Sequence, residues 1–415
     1  MWFKKLINII VYTIIFYSIQ AQENGIKFEQ DSSWSKILKI AKTENKYIFV
    51  DCYTTWCGPC KYMDANVFPM KEVGNFFNEK FICVKFQIDT TANDTEKIKS
   101  KYEDAAFIKK EFKISGYPTY LFLNPTGELV HEEGGACAAN EFIEKGTNAL
   151  NIEKQYYTQI RKYKEGNRNA SFLKTLTQMA INAQDENAIS IYSRDYYSSQ
   201  KNLLDSSNLF FVYSTTLNAE DTGFKLMSNN IEKFETVVEK KTLESTLQFI
   251  IVRSEFLLNN NIGLNWDENN WNSFAQSLTT KYPLFAKKAL LQFKIIIFPG
   301  KNNWKGYAEA VEQYIAITAP SNSELNDYAW TIFSKSNNKS ILKKALVWSS
   351  KTFTNQEKTE PGYMDTYANL LYKIGRKREA LKWERKAQKI AVDQGQDKNW
   401  GQEVIDKMTK GEKTW

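Results

Sequence analysis

Two kinds of hydrophobic pattern divide the chain: short apolar runs alternating with amphipathic segments up to about residue 150, and amphipathic segments alone thereafter. Tyr47-Ile48-Phe49-Val50-Asp51-Cys52-Tyr53 is nearly continuous in apolar, β-forming residues and predicts a buried strand that ends at residues 54–59. After Cys60, residues Tyr62, Met63, Val67 and Phe68, then Val73, Phe76 and Phe77, recur at helical spacing and predict a helix broken near Pro69. Residues 81–89 read as a second strand, and residues 90–112 as a polar, helical stretch. Residues 120–123 and 128–131 flank Asn124-Pro125-Thr126-Gly127 as a hairpin, and a helix follows over about 140–150. The order βα-β-α-ββ-α predicts a compact α/β domain over residues 22–150.

From residue 151 to 415 strand alternation disappears, which predicts an all-α domain. Asp327-Tyr328-Ala329-Trp330 with Ala345-Leu346 downstream resembles Thr366-Tyr367-Ala368-Asn369 with Ala380-Leu381 downstream. Ala368, Leu371, Tyr372, Gly375, Ala380 and Ala387 stand near the small and aromatic positions of a tetratricopeptide unit, so a repeat of that kind is expected toward 322–395. Stacked helical repeats form concave surfaces, and a protein partner for this half is a candidate reading. Its tryptophans, Trp266, Trp271, Trp304, Trp330, Trp348 and Trp383, are expected mostly in the core.

Residues 1–21 differ from both halves. Lys4 and Lys5 precede an apolar stretch over 6–19 that is shorter than the ~20 residues of a spanning helix and ends near a small residue, so a cleaved signal peptide is expected. An N-terminal membrane anchor is the alternative. At 415 residues the chain exceeds the roughly 250–300 at which single cores stop growing, which requires at least two domains. A hydrophobic content of 42% excludes wholesale disorder, and a net charge of +7 spread without long one-sign runs argues against nucleic acid as a partner.

Export permits disulfides, yet five cysteines in this length form no stapled scaffold. The single His131, read as an ordinary strand residue, leaves no His-based triad, and one Cys-x-x-Cys is a poor metal site, so neither metal nor cofactor is expected. Cys52 and Cys83 fall on predicted strands and read as core hydrophobes pointing to opposite faces; Cys137 reads as a packed thiol. What remains is redox chemistry at Cys57 and Cys60, between a buried strand and a helix whose N-terminus favours a thiolate on Cys57.

Trp56-Cys57-Gly58-Pro59-Cys60-Lys61 resembles the active-site signature of the thioredoxin family, and three further features agree. Asp51 stands six residues before Cys57, Lys85 four before Asp89, and Gly116-Tyr117-Pro118-Thr119 has the form of the segment that carries a cis-proline. The resemblance covers roughly residues 30–150. It implies a thioredoxin-like α/β domain and a redox disulfide Cys57–Cys60, with Cys57 as nucleophile, Cys60 as resolving thiol, Asp51 as a buried acid–base group and Lys85 as its basic partner. Trp56, Gly58, Pro59, Tyr117, Pro118 and Gly135 are then expected in the substrate groove.

The match has departures. The 29 positions from Asp89 to Pro118 imply a helical insertion beside the site, Tyr117 replaces a small aliphatic residue, and no proline follows Lys61 in the helix. The expectation is a periplasmic reductase acting on disulfide-containing exported proteins and supplied by a membrane electron donor. A disulfide isomerase or oxidant, or an interaction protein with the α/β domain as scaffold, are the alternatives.

Overall fold

The structure, a computed structural model, describes residues 25–30, 33–258, 263, 265–353 and 360–415. The expected signal peptide therefore lies outside the described residues. Compactness divides the chain between Leu217 and Asn218.

The first unit is built on a five-stranded sheet of β1 (Phe28–Glu29), β2 (Tyr47–Tyr53), β3 (Phe81–Gln87), β4 (Thr119–Leu123) and β5 (Leu129–Gly134), in the order β1-β3-β2-β4-β5. β2 pairs parallel with β3, a connection that needs a crossover, here α2 (Gly58–Asn66) and α3 (Lys71–Lys80). β4 runs antiparallel to both β2 and β5. Between β4 and β5, Gly127 adopts φ +85, and a side chain there would also strike Leu38, so both backbone and space require glycine. The predicted strands, the helix break at Pro69 and the hairpin are all present. Two elements precede them that the pattern reading did not assign: β1, and α1 (Trp34–Glu44), whose Trp34, Ile37 and Ala41 share a buried face.

Strand alternation sends side chains to two cores. On one face, Ile48, Val50, Cys52, Val84, Phe86 and Leu121 pack against α1 and against α5 (Tyr102–Glu111). The short α4 (Glu96–Lys99) and α5 form the insertion inferred from the long Asp89–Pro118 spacing. On the other face, Phe49, Cys83, Tyr120 and Phe122 meet α2, α3 and α6 (Ala139–Leu150). Phe77 of α3 and Phe142 of α6 stack there at 4.5 Å.

Among the described residues the last strand ends at residue 134, but the first compact unit continues through α7 (Tyr156–Lys164), α8 (Ala170–Asn182), α9 (Glu186–Ser199) and α10 (Ser206–Thr215). α7 and α8 lie against β5, an edge strand that would otherwise be open to pairing with another chain. Tyr156, Leu176, Ala180, Ile189 and Tyr192 form their shared core. The change of periodicity at 150/151 and the division by compactness at 217/218 are thus different boundaries: helices 156–215 share a unit with the sheet.

Among its described residues, the second unit contains helices α11 (Thr222–Asn229), α12 (Ile231–Phe234), α13 (Lys240–Leu258), α14 (Glu268–Lys281), α15 (Ala286–Ile297), α16 (Trp304–Ile317), α17 (Asn322–Lys335), α18 (Lys339–Ser350), α19 (Pro361–Lys373), α20 (Lys377–Asp393) and α21 (Gln402–Lys410). α17 pairs with α18 and α19 with α20, and Ala329, Ala345, Ala368, Ala380 and Ala387 are fully buried where small residues let helices approach. Trp271 and Trp348 are core residues as expected. Trp330 is not: it sits on α17 with 42% of its surface exposed, because Ala329 and Phe333 take the inward positions of that helix.

Candidate functional site

β2 ends at Tyr53, and the loop 54–56 leads directly into α2. Asp89, just beyond the neighbouring β3, accepts hydrogen bonds from the backbone N–H of Thr55 at 3.0 Å and from its hydroxyl, which pins this loop. Cys57 is the N-cap of α2, and its Sγ accepts from the Cys60 N–H at 3.0 Å. The positive end of the helix dipole therefore faces Cys57. Cys57 and Cys60 are bonded as a disulfide with their Cα atoms 5.3 Å apart, and both are 3% exposed.

Trp56 is 69% exposed and meets the Tyr117 ring edge-on at 5.7 Å. The Tyr117–Pro118 peptide is cis, and the Pro118 carbonyl accepts from the Gly135 N–H at 3.1 Å. Gly135 has φ +79, a conformation in which only glycine is unstrained. Gly58 faces open space, and Pro59 occupies the first turn of α2, where its missing N–H costs nothing. The structure thus places Trp56, Gly58 and Pro59 on the turn that carries the disulfide, Tyr117 against the Trp56 ring, and Gly135 on the carbonyl of Pro118.

Behind the pair, Asp51 and Lys85 lie in register on β2 and β3, and Lys85 Nζ is 3.3 Å from Asp51 Oδ2. Asp51 is 1% exposed and its Oδ1 has no hydrogen-bond partner. Burial raises its carboxyl from 3.8 to about 6; the Lys85 charge pulls the other way without prevailing, and the Asp64 charge adds to the rise. Burial pulls Lys85 down, but Asp51 and Asp64 together outweigh it and hold the ammonium above its ordinary value. Asp64, on α2, was not singled out from the sequence. It binds Lys85 directly, while the ammonium also rests over the Tyr53 ring at 4.6 Å. The only signal for it was an acidic residue one turn beyond Cys60 on the active-site helix. A cleft of about 630 Å³ lined by Phe28, Asp64, Phe68 and Lys85 opens this cluster to solvent.

A stability prediction follows from Asp51. Its folded pKa lies above the unfolded one, so the native state holds the proton more tightly, and stability falls as pH rises from 3.8 to about 6. Asp51→Asn removes that cost and is expected to stabilise the first unit at pH 8 by about 1–3 kcal/mol, with little difference at pH 3.5. Urea unfolding at both pH values checks it; equal effects at both would contradict the burial argument.

The remaining thiols have other surroundings. Cys52 and Cys83 are buried in opposite cores, and desolvation pushes both well above the ordinary thiol range. Cys137 is half-buried, its N–H directed at Met63 Sδ, and burial pushes it up to about 11. His131 is buried: its Nδ1 accepts from the Tyr156 N–H at 3.0 Å and its Nε2 lies 3.4 Å from Glu133, which is itself paired with Lys145 at 2.8 Å. The sequence reading of His131 as an ordinary strand residue missed this buried triad.

Residues 34–149 match the family model described as a thioredoxin-like domain. Chloroplastic thioredoxin Y of Oryza sativa subsp. japonica is 31% identical over 122 residues, which are 29% of this chain and 62% of that protein. Thioredoxin-1 of Drosophila melanogaster is 28% identical over 96 residues, 23% of this chain and 74% of the relative. The solution structure of a candidate disulphide-isomerase from Bacteroides thetaiotaomicron shares 35% identity, covers 31% of this chain and 97% of its own, and has a TM-score of 0.26. The chain spans less than two thirds of the rice relative, and the family match ends at residue 149, at the end of α6. With the sheet order, the Cys57–Cys60 disulfide and the cis-Pro118 segment, these findings make the N-terminal part of the chain a thioredoxin-like α/β domain, followed by a largely helical C-terminal region.

Proposed function

We propose that this protein is a thiol–disulfide oxidoreductase that reduces disulfides of exported proteins. The observation that carries the reading is the Cys57–Cys60 disulfide capping α2, with an ionisable buried carboxyl behind it and the Tyr117–Pro118 segment beside it. In the reduced domain, the Cys57 thiolate, favoured by the helix N-terminus, attacks one sulfur of a substrate disulfide and displaces the other as a thiolate. Cys60 then gives its proton to the Asp51 carboxylate and attacks the Cys57 sulfur, releasing the second substrate thiolate. Two electrons pass to the substrate, and the domain is left as the Cys57–Cys60 disulfide. Lys85 holds Asp51 in place and moderates its pKa.

Residues 1–21 support export to the periplasm of a bacterial envelope, where a reductase needs a supply of electrons; a membrane donor is the reading we adopt. We read the helical region toward 322–395 as tetratricopeptide-like and suited to docking a protein partner.

The Gly58-Pro59 spacer favours reduction over oxidation. The test is the equilibrium potential of the Cys57–Cys60 pair against glutathione or dithiothreitol buffers. A value around −270 mV is expected, whereas one nearer about −120 mV would make the protein a disulfide donor and reverse the direction.

A further inference from the structure

Gly116 immediately precedes Tyr117–Pro118, and Gly134 immediately precedes Gly135, so these two glycines flank the segments beside the disulfide. A Cβ on Gly116 would fall 2.1 Å from Gln184 Oε1, and one on Gly134 would fall 2.4 Å from Gln184 Nε2. The Gln184 amide therefore occupies the space that side chains at both positions would fill. Gln184 comes from the turn between α8 and α9, outside the part of the chain that matches the thioredoxin-like domain.

Two further observations set this residue apart. Its backbone has φ +57, a left-handed conformation that glycine or asparagine adopts at less cost, so the turn itself does not call for glutamine. Its side chain is solvent-exposed, and its amide makes no hydrogen bond to any described residue. An amide held against two backbone segments, open to solvent and unengaged, offers one acceptor and two donors to whatever lies alongside Tyr117 and Gly135. An extended polypeptide presents matching N–H and C=O groups.

We propose that Gln184 is a substrate-binding residue, supplied by the helical extension as a third wall of the groove, that hydrogen-bonds the main chain of polypeptide substrates. The inference rests on the oxidoreductase reading and assigns its substrate class: disulfides within extended peptide segments rather than small disulfides.

The test compares kcat/KM of the reduced full-length protein for insulin with that for bis(2-hydroxyethyl) disulfide, which has no peptide backbone. In Gln184→Gly the insulin-to-small-disulfide ratio is expected to fall about threefold to tenfold, the loss of one net hydrogen bond, while the thermal midpoint does not drop because the left-handed turn is relieved. Gly134→Ala, whose Cβ displaces the Gln184 amide and whose backbone lies outside the left-handed region, is expected to lower the ratio likewise. An unchanged ratio in both variants, or parallel loss on both substrates, would overturn the assignment. A wild-type protein that reduces neither substrate would overturn the oxidoreductase reading beneath it.

Discussion

Cys57→Ser abolishes dithiol–disulfide exchange: the rate of insulin reduction is expected to fall by at least about a thousandfold, to the uncatalysed background. The reason is chemical rather than structural. A serine hydroxyl at the same N-cap position still accepts the Cys60 N–H and preserves the start of α2, so the fold should persist. What is lost is the sulfur nucleophile, which the helix N-terminus can ionise near neutral pH and an alkoxide cannot replace. Cys60→Ser differs in kind. It leaves the nucleophile and removes the resolving thiol, so a mixed disulfide through Cys57 should accumulate and be visible by non-reducing electrophoresis with an oxidised substrate. A Cys57→Ser protein that still reduces insulin would sink the enzymatic reading in every form.

Lys145→Met should destabilise the first unit by ~3–5 kcal/mol at pH 7, because it leaves Glu133 as a buried charge without its main counter-ion. Lys145 Nζ sits 2.8 Å from Glu133, and both groups are over 90% buried. Burial pushes the Glu133 carboxyl up, but His131 and Lys145 outweigh it and hold it below its ordinary value of 4.5. A depressed carboxyl contributes stability that is present above the unfolded pKa and lost as pH falls. In the variant, protonation of Glu133 relieves the unpaired charge, so the deficit should shrink on acidification toward pH 4. Adding Glu133→Leu to Lys145→Met should recover much of the loss, since the pair contributes less than the cost of breaking it. Hydrogen exchange of β5 amides reads this unit separately from the second one, which avoids treating the whole chain as two-state. A deficit that persists unchanged at pH 4 would argue that Lys145 acts through packing of its stem.

The parts of this protein that follow local rules were legible in its residues. A continuous apolar run made β2 visible, Pro69 the break between α2 and α3, and Asn124-Pro125-Thr126-Gly127 the hairpin, because each depends on neighbours only a few positions away. Cys57 and Cys60 were equally plain, since the chemistry needs two thiols one helical turn apart. Even the facing of Asp51 and Lys85 could be derived, because strand alternation and a parallel pairing place them on one face.

Contacts between distant segments were not legible. Asp64 reaches Lys85 from α2, 21 positions away, and nothing in its surroundings distinguishes it from any exposed acid. α1 escaped notice because its buried stripe is only Trp34, Ile37 and Ala41. His131 looked ordinary until Glu133, Lys145 and the Tyr156 N–H closed around it.

The sequence by itself determined the α/β pattern, the helical character of the remainder and the redox pair, all set by periodicity and by the identity of reactive atoms. Only the tertiary structure decided that helices 156–215 share a unit with the sheet, and that Gln184 lies against Gly116 and Gly134. An open β5 edge and two missing side chains create that docking site, and such complementarity exists only once segments some 50 to 70 positions apart are brought together.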